Sequence, residues 1–203
     1  IHNVVALRGD AVKTETYFKP EKNGHAFAKD LVEQIVKMNH GTYLDESLEN
    51  SACTDFNIGV AGYPEKHMEA ASLEQDIYHL KKKVEAGADY IVTQMFFDNQ
   101  KYYDFVEKCR TSGINVPIIP GLKPITTKSQ LSMIPHRFKV DLPNELVIAI
   151  AKAKDNKEVK EIGINWCIQQ SKDLMKNGAP VLHYYSMGKS EVVKRIASEV
   201  FKD

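Results

Sequence analysis

Short apolar, β-branched runs alternate along the chain with longer stretches of helical period. The runs fall at residues 3–7, 56–61, 90–95, 116–119 and 181–185, lengths that suit buried strands. Between the second and third runs, Leu73, Ile77, Leu80 and Val84 recur at three- and four-residue spacing before Gly87, which predicts an amphipathic helix with a glycine stop. Phe27, Leu31, Ile35 and Met38 draw a similar stripe across residues 26–38, and Phe105 continues the pattern after the third run. Residues 144–176 read as helical until Gly178-Ala179-Pro180, and a last helix spans 190–201. Such stripes are usually core. Residues 10–24, and 39–55 with its Gly, Asn, Asp and Ser content, read as loops on one domain covering 1–203.

Five strand-then-helix units imply an α/β fold around a parallel sheet. A doubly wound sheet and a (βα)8 TIM barrel share that alternation, so the strand ends must separate them. No GxGxxG follows any strand. Polar clusters do: Arg8-Gly9-Asp10, Tyr63 to His67, Gln94 with Asp98, Lys123, and Ser186 to Lys189. A barrel gathers such residues at one face, because its site is built from the C-terminal ends of all its strands. Closure takes eight strands, and five would leave two open edges. The expectation is therefore a TIM barrel of which this chain supplies about the last five βα units, the first residues entering in mid-fold.

Composition narrows the function. Lys plus Arg equal Asp plus Glu at 27 each, so no excess positive charge is available to hold a nucleic-acid backbone. No apolar run approaches the roughly 18 residues that a membrane crossing needs. Cys53, Cys109 and Cys167 are odd in number and far apart, with no Cys/His ligand cluster. They read as reduced cytosolic thiols; a cytoplasmic protein without a bound metal is expected.

Several positions can carry chemistry. In Arg8-Gly9-Asp10 the glycine permits close backbone approach, and the charges can address a phosphate and a ring nitrogen. A surface turn with a local ion pair would explain the tripeptide equally well. Tyr63 and His67 lead towards a helix whose first turn is expected to hold Glu69. The ring can cover a planar cofactor and the imidazole can donate to phosphate or ribose, though a capped helix with a satisfied histidine fits too. Asp76 and Lys83 lie seven apart on one helical face, where charge commonly does no more than solvate. Gln94 ends an apolar run, and its amide can pair with a ligand offering a donor beside an acceptor, or with a neighbouring strand. No Ser-His-Asp or Cys-His arrangement is suggested.

Taken together, Val4 to Asp10, then Ala61-Gly62-Tyr63-Pro64-Glu65-Lys66-His67, then Thr93 to Asp98, then Pro117 to Leu122 resemble the methylenetetrahydrofolate reductase family in order and spacing. The C-terminal Asp-Leu-Pro and Tyr-Ser-Met-Gly-Lys segments look like its bacterial branch. The resemblance implies an FAD-containing barrel in which NADH or NADPH reduces the flavin. Methylenetetrahydrofolate, its iminium form open, then takes the hydride to become methyltetrahydrofolate. It places Arg8, Gly9, Asp10, Tyr63, His67, Ala70, Asp76, His79, Lys82 and Lys83 at FAD. Phe27 stands where some members carry Tyr, which keeps a packing role without a hydroxyl. Gln94 and Gln130 match positions that touch folate or nicotinamide. Lys189 stands where some relatives have Arg, which keeps the charge without the planar fork.

Asp10 and Gln94 are the implied catalytic residues, with Asp10 tuning the flavin and stabilising the cationic iminium. The family's general acid is a Glu on the first barrel strand, which these residues do not include. A homo-oligomer is expected. Two other readings remain: a non-catalytic folate- or flavin-binding barrel, and a pterin-dependent methyltransferase barrel.

Overall fold

Five parallel strands lie side by side in chain order: β1 (Asn3–Ala6), β2 (Asn57–Gly62), β3 (Tyr90–Met95), β4 (Ile118–Leu122) and β5 (His183–Tyr184). The computed structural model describes residues 1–11, 14–15, 17–188 and 190–202. β1 meets β2 with Val4 opposite Ile58, and β2 meets β3 with Val60 opposite Ile91. A doubly wound sheet reverses its strand order at a switch point. Here the order never reverses, and connections of the usual right hand between strands in that order put their helices on one face. This is an arc of a βα barrel, as the polar strand ends implied.

Helices α1 (Ala28–Asn39), α2 (Leu73–Glu85) and α3 (Asn99–Thr111) follow the first three strands. Ser72 and Asp98 start α2 and α3 by accepting the backbone N–H of Gln75 and Gln100, which satisfies donors that a helix start otherwise orphans. After β4 come α4 (Gln130–Phe138), α5 (Asn144–Lys152) and α6 (Asn156–Lys176), and α7 (Ser190–Val200) follows β5. One buried cluster joins sheet to helices through Ile58, Val60, Ile91, Ile118, Ile77, Leu80 and Phe105. A second gathers Met95, Phe97 and Ile125 under Ile134, Leu146 and Ile150. Each buried aliphatic side chain of this kind contributes about 1.5–3 kcal/mol by leaving water.

Five points differ from expectation. The helical stretch from 144 to 176 is two helices, because Asp155 caps a new start by accepting the Glu158 N–H at 2.9 Å. Helix α4 is an element the periodicity did not reveal. β4 begins at Ile118, two residues beyond Val116, and β5 is only two residues long. Glu69 lies ahead of α2, not in its first turn. Among the described residues no helix is long and apolar enough to cross a membrane.

Candidate functional site

The C-terminal ends of β1 and β2 converge on one cluster. Arg8, just past β1, sends Nη2 to both carboxylate oxygens of Glu69 at 2.8 Å, and the Phe18 ring lies 4.9 Å from the guanidinium carbon. Held from two sides, it is a pre-set cation at the rim. The Arg8 hydrogen bond holds the Glu69 carboxyl below its ordinary range.

Past β2 the chain turns through Tyr63, Pro64 and Lys66 before α2. Tyr63 and His67 meet edge to face with centroids 4.6 Å apart. The His67 backbone N–H donates to Asp76 Oδ2 at 2.8 Å, tying the turn to the first turn of α2. His67 Nδ1 accepts the Glu69 N–H at 3.1 Å, so a neutral imidazole carries its proton on Nε2. Burial lowers the His67 pKa, against the pull of Asp76 and Glu69, which keeps that neutral form at pH 7. Burial also raises Tyr63 to about 12, with Asp76 and Asp10 adding to the effect, so the phenol stays protonated.

Lys83 lies two turns after Asp76 on the same face of α2. Its ammonium donates to the Ala61 carbonyl at 2.7 Å, and burial lowers its pKa to about 8 while Asp76 resists. A cation drawn out of water with one carbonyl and a nearby carboxylate is poised for a further anion. Lys66 adopts a left-handed backbone, φ 84°, and its ammonium donates to the carbonyls of Ala70 at 2.6 Å and His67 at 3.2 Å. That tether shapes the turn, yet no sequence pattern pointed to it. A hollow of about 390 Å³ adjoins the same turn beside Glu65, Lys101, Lys139 and Asp141. Burial pushes the Glu65 carboxyl up to about 7, and its oxygen accepts the Asp141 N–H at 3.0 Å.

The matching family model, described as methylenetetrahydrofolate reductase, covers residues 1–200. The chain belongs to the methylenetetrahydrofolate reductase family. It is 38% identical over 197 residues to methylenetetrahydrofolate reductase (NADH) 1 of Arabidopsis thaliana, with 92% of this chain and 31% of that protein covered. To 5,10-methylenetetrahydrofolate reductase of Escherichia coli it is 34% identical over 193 residues, covering 95% of this chain and 58% of that protein. The chain thus spans about a third of the plant relative and somewhat over half of the bacterial one. A Clostridium thermocellum structure, described as an uncharacterized protein that binds two copies of 5-methyl-5,6,7,8-tetrahydrofolic acid, is 19% identical. It matches with a TM-score of 0.47 over 71% of this chain and 52% of that one, too slight a likeness to bear on function.

Against the positions that the methylenetetrahydrofolate reductase resemblance singled out, the structure sorts the residues into groups. Arg8, Tyr63, His67, Asp76 and Lys83 form the linked cluster; Ala70 joins it through its carbonyl, and Gly9 and Asp10 follow Arg8 at the exposed rim. His79 and Lys82 engage other partners: His79 meets the Tyr78 ring, and Lys82 pairs with Glu85 at 2.8 Å. Phe27 is 64% exposed at the start of α1, where its N–H donates to Asp30.

Gln94, near the end of β3, turns its own Oε1 back to the Met95 N–H at 2.9 Å, which leaves the Nε2 donors as the half of the amide to offer. Gln130 spends its Oε1 on the N–H groups of Thr126 and Thr127 at 2.6 and 3.1 Å, holding the turn before α4. Lys189 lies outside the described residues. Lys66, Glu69, Phe18, Thr93 and Tyr185 are the contributors that sequence reasoning passed over; the first three act on this cluster, the last two beside Gln94.

Proposed function

We propose that this protein works as a flavin-dependent reductase that converts 5,10-methylenetetrahydrofolate to 5-methyltetrahydrofolate, with NADH or NADPH as reductant and FAD as the bound cofactor. The observation that carries the reading is the cluster of Arg8, Tyr63, His67 and Lys83 at the ends of β1 and β2, in a chain of this family. The donor set fits FAD. A pinned guanidinium, a part-buried ammonium and an imidazole Nε2–H suit a diphosphate and ribose, and the Tyr63 ring suits a planar face.

When bound, FAD would supply acceptance of hydride from the nicotinamide and its delivery to the folate. The chain's own residues bind and orient. Arg8 and Lys83 neutralise phosphate charge, and His67 donates from Nε2. The Asp10 carboxylate, close enough to Tyr63 to raise that phenol's pKa, stabilises the positive charge of the opened iminium. Gln94 offers its Nε2 hydrogens to pterin acceptors.

The test is the visible spectrum of the purified protein with FAD, then with anaerobic NADH, then with methylenetetrahydrofolate. A flavin band that bleaches and returns supports the proposal. A protein that binds folate without flavin overturns it in favour of a flavin-free barrel. Asp10→Asn is expected to keep bleaching by NADH near its original rate while slowing the return by about a hundredfold, the scale of losing one preorganised charge. Equal slowing of both steps would remove Asp10 from that role.

A further inference from the structure

The β3–β4 ladder contains an irregularity directly beside Gln94. Ile91 pairs with Ile118 and Val92 with Ile119, but the next pair is Met95 with Gly121. Three steps along β3 are matched by two along β4, so β3 carries one extra residue, and Thr93 and Gln94 occupy the bulge. A bulge re-aims a side chain but leaves backbone groups off the ladder, and those groups need other partners.

Here the partners converge on Thr93, which is 0% exposed. Its hydroxyl oxygen accepts the Gly121 N–H at 2.9 Å, taking the donor that regular pairing would give to the backbone. Its carbonyl accepts the Tyr185 hydroxyl at 2.8 Å. Tyr185 follows β5 and is fixed by its own N–H to the Leu122 carbonyl at 2.9 Å. Its ring lies so close over Gly121 that a Cβ there would stand 2.8 Å from Tyr185 Cε2 and 2.2 Å from the Thr93 carbonyl oxygen. Burial raises the Tyr185 pKa, so the hydroxyl keeps its donor proton at neutral pH.

We infer that Tyr185 is a positioning residue for folate: its hydroxyl pins the Thr93 carbonyl, holds the bulge in β3, and thereby aims the Gln94 amide into the site. This rests on the reading of Gln94 as a folate contact. The physical reason is register. Side chains alternate across a strand, so loss of the extra residue would turn Gln94 towards the opposite face of the sheet. Without the hydroxyl the buried Thr93 carbonyl loses its partner and competes with Thr93 Oγ1 for the Gly121 N–H, which pulls the strand towards regular pairing.

The experiment measures the affinity of the FAD-loaded protein for 5-methyltetrahydrofolate by calorimetry, in Tyr185→Phe, Gln94→Ala and the double variant. Tyr185→Phe keeps the ring over Gly121 and removes only the hydroxyl. It is expected to weaken folate about tenfold, the scale of one hydrogen bond, with FAD affinity unchanged. Gln94→Ala is expected to weaken folate by a similar factor. The double variant should bind no more weakly than Gln94→Ala alone, because a residue acting through Gln94 has nothing left to act on. Independent, multiplying losses would overturn the inference, as would unchanged folate affinity in Tyr185→Phe. Unchanged affinity in Gln94→Ala would instead strike the underlying reading of Gln94 and take the inference with it.

Discussion

Lys83→Met is expected to make the protein more stable and a poorer binder of flavin. Methionine replaces the lysine stem with a chain of similar shape and removes the ammonium. A fall in pKa from 10.5 to about 8 corresponds to about 3 kcal/mol of unfavourable burial of the charged form. That figure already includes the opposing attraction of Asp76; against it stands the hydrogen bond to the Ala61 carbonyl at 2.7 Å, worth about 1 kcal/mol. The balance favours methionine by about 1–2 kcal/mol at pH 7, or about 2–8 °C in melting temperature for a chain of this size. Because the folded pKa of Lys83 lies below its unfolded value, its favourable contribution is complete only above about 10.5 and is lost as pH falls to about 8. The advantage of the variant should therefore be full at pH 7 and shrink by pH 9.5. Thermal unfolding of both proteins at the two pH values measures this, and FAD titration should show weaker binding in the variant throughout. A variant that melts lower at pH 7, or a difference independent of pH, would refute the reasoning.

Two other variants test the turn between β2 and α2. Lys66 combines a left-handed backbone, which costs an L-residue about 1–2 kcal/mol, with two carbonyl contacts of similar total worth. Lys66→Gly should therefore melt near the parent, whereas Lys66→Met, which keeps the strain and loses the contacts, should fall about 1 kcal/mol below the glycine variant; equal melting of the two would remove the strain from the account. Glu65, its folded pKa raised to about 7 from an ordinary 4.5, contributes stability that is whole below about 4.5 and lost as pH rises through 7. Partial exposure limits this to about 1–2 kcal/mol, and Glu65→Gln, which still accepts from Asp141, should flatten the stability profile between pH 5 and 8.

What the sequence made legible follows from the range over which each interaction acts. The stripe of Leu73, Ile77, Leu80 and Val84 is local, and α2 formed where it was expected. The break inside residues 144–176 was local too: Asp155 and Glu158 form the start signal, with Glu158 accepting the Lys154 N–H at 2.7 Å, but the surrounding apolar period masked it. β4 was misplaced because Pro120 and Gly121 argue against a strand by propensity, whereas the fold needs that glycine beneath Tyr185 and the Thr93 carbonyl. The charged residues after β1 and β2 stood out in the sequence because strand ends are where a barrel collects its chemistry, and the structure brings Arg8 and Lys83 near His67. Tyr185 was not readable, since its partner lies 92 positions away in the chain and the bond joins a side chain to a backbone oxygen. A backbone acceptor has no residue identity, so neither the type of Thr93 nor any spacing announces it. Only the extra residue in β3, visible once the register is known, exposes that carbonyl and gives the tyrosine hydroxyl its purpose.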